Sequence, residues 1–161
     1  MEEAYKSIEL PAGYSLQLVL IDPDIEEPVA CAFDGNGVLQ VVEMRTYMQN
    51  ADVIVEQEPR SRISRHEDTD GDGIYDKHSV FIDNLLLPRG VLPLDDRVMV
   101  HVTNTLDLWN YRDTDGDGVA DEKVRIYEGG KRGGNMEHQP SGLIWLLDNW
   151  IYITDENRRD R

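Results

Sequence analysis

Asp68-Thr69-Asp70-Gly71-Asp72-Gly73 spells DTDGDG, and the same six residues return as Asp113-Thr114-Asp115-Gly116-Asp117-Gly118. Carboxylates at alternate positions repel one another unless a cation sits between them. A return after 45 residues also points to a repeated structural unit. The flanking sequence supports the second reading. Three segments look alike: PVACAFDGNGVLQVVEM from Pro28, PRGVLPLDDRVMVHVT from Pro88 and PSGLIWLLDNWIYITD from Pro140. Each begins with Pro, continues as an apolar run, passes an Asp-containing tight turn and ends in a second β-rich run. Each therefore reads as a hairpin, with Asn36-Gly37 the clearest turn signal.

Two of these hairpins are followed by a second strand pair. Residues 61–67 and 106–112 lead into the acidic loops, and residues 77–83 and 123–128 lead out of them. Four antiparallel strands recurring every ~40–50 residues is the pattern of a β-propeller blade. Helical periodicity is weak throughout, so the fold class is all-β. One blade spans residues 28–83, a second 88–128 and a partial third 138–155. Tyr14–Ile21 (YSLQLVLI) reads as a leading outer strand that closes a ring. Propellers have ~4–8 blades, so about two and a half would leave edges unpaired. The expectation is the N-terminal part of a longer protein, or else symmetric assembly of part-propellers.

Composition narrows the function. The chain has 161 residues, 40% of them hydrophobic, enough for one packed domain. Asp plus Glu number 32 against 16 Lys plus Arg, a formal charge of −16. Such a surface repels phosphate backbones, so no nucleic acid is expected as partner. Strong acidity suits a periplasmic or cell-surface protein. The stretch MEEAYKSIEL carries no signal peptide, and no apolar run has the length of a membrane helix. Cys31 is the only cysteine, so no intrachain disulfide forms and no C-x-x-C-H haem site is present.

The acidic loops fit calcium, which takes oxygens at alternate positions around a sharp turn. The expected ligands are Asp68, Asp70, Asp72, the Ile74 carbonyl and Asp76, then Asp113, Asp115, Asp117, the Val119 carbonyl and Asp121. Gly73 and Gly118 take the tight sixth position. The twelfth, where an EF-hand has its bidentate Glu, holds Ser79 and Val124, and no helix flanks either loop. The alternative is a solvated acidic turn without an ion.

Loops on the other end of the blades gather Glu43, Arg45, Arg89, Arg132, Asn135, His138, Asn157 and Arg158. Arginines there suit an anionic ligand, or else pair with nearby acids. His138 lies in the glycine-rich loop EGGKRGGNMEHQPSG and is the one obvious acid–base candidate, against a plain backbone-bonded loop histidine. His66 and His78 are expected to be exposed beside the first acidic loop. His101 reads as a structural residue of its strand. Trp145 and Trp150 are expected to pack between blades.

The segments LPAGYSLQLV, PVACAFDGNGVLQVVEMRTY, EDTDGDGIYDK, RDTDGDGVADE and GGNMEHQPSGLIWLLDNWIY resemble a family over nearly the whole chain. It is the membrane-bound dehydrogenase or haem-binding C-x-x-C-H propeller family of planctomycetes and verrucomicrobia. More distantly the chain resembles the soluble quinoprotein glucose/sorbosone dehydrogenases. The resemblance implies an exported propeller of six or seven blades, with haem c only in a C-terminal cytochrome domain that accepts electrons. It implies oxidation of a carbohydrate or other alcohol by pyrroloquinoline quinone. His138, ahead of Gly142-Leu143, would be the base, and Arg45, Arg132 and Asn135 would hold the quinone. The competing expectation is a non-catalytic calcium-binding propeller that binds carbohydrate or protein.

Overall fold

A computed structural model of the chain describes residues 7–131 and 133–155. It contains no α-helix among those residues. Strands β1 (Pro28–Phe33), β2 (Leu39–Glu43), β3 (Ser61–Glu67) and β4 (Lys77–Leu85) form one antiparallel sheet in the order β1-β2-β3-β4. Strands β5 (Pro88–Leu94), β6 (Arg97–Val102), β7 (Leu108–Arg112) and β8 (Glu122–Tyr127) form a second in the order β5-β6-β7-β8. Strands β9 (Ser141–Trp145) and β10 (Ile151–Thr154) pair as a hairpin.

The turns explain the meander. Asp34 closes the first hairpin, its Oδ1 accepting the amides of Asn36 at 2.8 Å and Val38 at 2.9 Å. In the third, Asp148 Oδ1 accepts the Trp150 amide at 3.2 Å. The repeat extends to backbone detail. Glu27 and Leu87, the residues before Pro28 and Pro88, both have positive φ, 49° and 41°. Both first strands also shift register just after that proline.

The core is the layer between the two four-stranded sheets. Val42, Ile63, Phe81, Ile82 and Leu85 of the first meet Val91, Val98, Val100 and Tyr111 of the second. Alternation sets which side chains point there. On β3, Ile63 faces this layer, so Ser64 and His66 turn to the other face, opposite Val41 and Leu39. That face is covered too: Ser64 and His66 are both buried.

Three expectations need correction. Tyr14–Ile21 forms no strand; it joins no ladder, and Tyr14, Leu16, Leu18, Val19 and Ile21 are exposed. A strand needs a hydrogen-bonded neighbour, and no described strand pairs with this segment. His66 is fully buried rather than exposed. Its Nδ1 lies 2.8 Å from His78 Nδ1 and its Nε2 2.8 Å from Ser64 Oγ. Burial first, and then the neighbouring His78, push its pKa down to about 4. Trp145 and Trp150 are exposed instead of packed between sheets. Trp145 Nε1 donates to Asn149 Oδ1 at 3.0 Å and braces its own turn.

Candidate functional site

Both acidic loops join the third strand of a sheet to the fourth, as expected, and they fold alike almost bond for bond. Asp68 accepts the amides of Gly71 at 2.7 Å and Gly73 at 2.8 Å, one on each oxygen. Asp113 does the same with Gly116 and Gly118 at 2.7 and 2.8 Å. Asp72 takes the Ile74 amide at 2.7 Å, and Asp117 the Val119 amide at 2.8 Å. Gly73 and Gly118 have φ of +87° and +90°, which side chains rarely adopt, so the turn requires glycine there.

One carboxylate oxygen from each of Asp68, Asp70 and Asp72 lies within 4.8 Å of the others, and Asp113, Asp115 and Asp117 repeat the group. Calcium binds oxygens at 2.3–2.6 Å, so ligands on opposite sides stand up to about 5 Å apart. The donor set fits the ion in chemistry and span. The Gly73 amide holds the Asp68 carboxyl below the usual carboxylate range. Burial works against ionisation at Asp113, but the amides of Gly118 and Gly116 outweigh it and lower that pKa as well.

Asp76 and Asp121 are not in these groups. Each is a brace: Asp76 accepts the amide and hydroxyl of Thr69 at 3.0 and 2.6 Å. Asp121 repeats this on Thr114 at the same distances. The threonine side chain and amide keep both carboxyls below their ordinary pKa. Ile74 and Val119 keep exposed side chains, so their part as ligands rests on their carbonyls alone.

The second loop also seats on the first sheet. Ser79 Oγ donates to the Gly118 carbonyl at 2.7 Å, and the Ala120 amide to the Phe81 carbonyl at 2.8 Å. The first loop meets Gln17 in the same place, with Gln17 Nε2 3.4 Å from the Asp72 carbonyl. Ser79 thus has a structural use at the position where a bidentate ligand was missed.

At the opposite end, the loop after β8 is tied down by polar contacts. Arg89 donates to the Met136 carbonyl and, at 2.8 Å, to Thr103 Oγ1. Asn104 donates to Gln57 Oε1 at 2.9 Å and to Gln139 Oε1 at 3.1 Å. Burial lowers the Arg89 pKa. Asn135 caps the 3-10 turn Met136–His138, its Oδ1 accepting the Glu137 amide at 3.1 Å. His138 ends that turn and is exposed.

Arg45 stands elsewhere. It pairs with Glu26 at 2.7 Å in a polar cleft also lined by Asp22, Glu27, Arg60 and Asp83. Neither Asn135 nor His138 lines that cleft. Glu43 faces no ligand; it is fully buried, with Oε2 accepting from Arg62 and from the Glu26 amide, both at 2.8 Å. Arg132, Asn157 and Arg158 lie outside the described residues.

A quinone bearing carboxylates needs converging cations with spare donors. Arg45 pairs with Glu26 through Nε, Asn135 Oδ1 accepts the Glu137 amide, and Arg89 is bonded within the fold. Among the described residues, Arg45 shares no cleft with Asn135 or His138, so no reaction step through such a pocket follows from them. Sequence reading also missed the Glu43–Arg62 pair and the His66–His78 pair. Both were legible only as cross-strand neighbours, Glu43 opposite Arg62 and His66 opposite His78.

These features define an all-β repeat protein with a matched pair of acidic, cation-competent loops. The chain belongs to the family described as a domain of unknown function, DUF7133, whose model matches residues 1–160. No curated protein and no solved structure matches it.

Proposed function

We propose that the chain is a calcium-stapled part of a β-propeller, the N-terminal portion of a longer periplasmic or cell-surface protein. The observation that carries this is the matched hydrogen-bond pattern of the two acidic loops, each bringing three carboxylates within 4.8 Å. Calcium there holds the turn between third and fourth strands and does no chemistry. Bound to the folded state alone, it stabilises by mass action. At ten times the dissociation constant each loop adds ~1.4 kcal/mol. For a chain of this size that raises the melting temperature by roughly 3–6 °C per loop.

Thermal melts of the chain with calcium, with magnesium and with chelator test this. The rise should be specific to calcium and halve in Asp68→Asn or Asp113→Asn. It should vanish when both are changed. Melts that coincide in calcium and chelator would sink the reading.

In the longer protein, the oxidoreductase reading is a quinoprotein-like dehydrogenase acting on a sugar or alcohol. His138 would be its base, and electrons would pass to a c-type cytochrome domain. Its support is the family resemblance and the placing of His138 on a loop that Arg89 pins. The non-catalytic reading, a propeller binding carbohydrate or protein, is favoured by Arg45 lying in a cleft that neither Asn135 nor His138 lines. Full-length protein supplied with pyrroloquinoline quinone, a dye acceptor and a panel of sugars separates them. Turnover lost in His138→Ala supports the enzyme; sugar binding without turnover, indifferent to that change, supports the binding module.

A further inference from the structure

The two acidic loops fold alike, but the strand pair at the foot of each carries different chemistry. On the first sheet, His66 of β3 lies opposite His78 of β4. A shift of 45 residues carries them onto Tyr111 and Lys123, which also face one another across two strands. There the Lys123 ammonium stands 5.3 Å from the centre of the Tyr111 ring. Ser64 becomes Trp109 in the same shift. The turn thus closes well over an aromatic ring and a lysine, and its geometry does not call for two imidazoles.

The arrangement of the histidines supplies a different use. Their Nδ1 atoms stand 2.8 Å apart and their ring centroids 5.0 Å, so the rings meet through nitrogens and are not stacked. The other nitrogen of each ring has a partner of its own. His66 Nε2 meets Ser64 Oγ at 2.8 Å, and His78 Nε2 faces Asp24 Oδ1 at 3.7 Å. Metal-bound histidines are oriented in this way, the second ring nitrogen donating to a carboxylate or another oxygen. With bonds of about 2.0–2.1 Å, two nitrogens on one metal stand roughly 2.8–3.4 Å apart, from a right angle to a tetrahedral one. A tilt of the two rings reaches that range. Without metal, His66 Nδ1–H donates to His78 Nδ1, His78 Nε2–H faces Asp24, and Ser64 donates to His66 Nε2. With metal, the His66 proton moves to Nε2 and Ser64 becomes its acceptor. The pair neither gains nor loses a proton, and its partners are served in both states.

We infer that His66 and His78 form a binding site for a divalent transition-metal ion, copper(II) foremost, between β3 and β4 at the foot of the first acidic loop. Imidazole suits copper, nickel and zinc, and copper(II) binds the most tightly of the three. Calcium takes oxygen ligands and does not compete for this pair. His66 is fully buried, while the His78 side chain is 29% exposed. The ion therefore enters beside His78 and keeps open positions there for water or a further ligand. In the second sheet Tyr111 and Lys123 replace both ligands, so that sheet lacks the site.

Copper(II) titration of the full chain in excess calcium tests this, in a Cys31→Ser parent that removes the exposed thiol. Electron paramagnetic resonance should show one ion per chain with nitrogen ligands. His78→Gln leaves an amide beside His66 but removes a ligand, and should lower the affinity by about a hundredfold or more. Asp24→Asn changes only the supporting carboxylate, and should lower it by about tenfold. No saturable copper binding overturns the inference, as does equal affinity in the parent and in His78→Gln. Loss of copper in Asp68→Asn with His78→Gln unaffected also overturns it, placing the ion in the acidic loop. Should His78→Gln fail to fold, Asp24→Asn decides, and an unchanged affinity there overturns the site. Calcium is read by melting and copper by resonance, so the failure of one reading leaves the other standing.

Discussion

Arg62→Leu is expected to destabilise the fold by roughly 3–5 kcal/mol, because it strands a buried carboxylate. Glu43 is fully buried, and its Oε2 is held by Arg62 and by the Glu26 amide. Its Oε1 already lacks a partner, so nothing is in reserve when the guanidinium goes. The hydrogen bond that Arg62 donates to Glu43 in turn holds the Arg62 pKa above its ordinary value. At about 2–4 °C per kcal/mol for a chain of this size, the melting temperature should fall by roughly 6–20 °C. Removing both charges together, Glu43→Leu with Arg62→Leu, should cost less than Arg62→Leu alone, since no uncompensated ion remains. What the double variant still loses is the bond to the Glu26 amide, about 1 kcal/mol. Denaturant melts of the two variants decide it. A single variant as stable as the double would mean that Glu43 finds water or another donor, and that the pair is not the internal anchor of the segment before β1.

That pair marks the boundary of what the sequence could show. The hairpins were legible because their signals are local: proline at the entry, an Asp or Asn turn, and β-rich runs on both sides. The acidic loops were legible for the same reason, since spacing alone sets which carboxylates converge. The bonds of Asp76 to Thr69 and of Asp121 to Thr114 were not legible, because they need the folded turn. Burial of Glu43 and His66 could not be read from β2 or β3 alone. It depends on a second layer lying over each face, and the face carrying His66 is one that a two-sided meander would leave wet. Tyr14–Ile21 has the composition of a strand, yet a ladder takes two partners and composition describes one. Loops on one end of a sheet need not converge: Arg45 lies in a cleft that His138 does not line.

Phe81→Ala should cost roughly 3–5 kcal/mol, the range for emptying an aromatic site in a packed core. Phe81 is 4% exposed at the centre of the layer that joins the two sheets. The cavity cannot close easily, because the strands on both sides are fixed by ladders and by the Ala120 amide on the Phe81 carbonyl. Ile126→Ala, at the equivalent position one unit on, should change stability by no more than about 0.5 kcal/mol, because Ile126 is 43% exposed. The contrast is the informative quantity. Equal positions in a repeat should differ in energy only by what covers them, so the gap between the two variants measures the missing cover. Thermal or denaturant melts of each variant give that gap directly. If Ile126→Ala proved as damaging as Phe81→Ala, Ile126 would already be covered by some contact within the chain, against its 43% exposure.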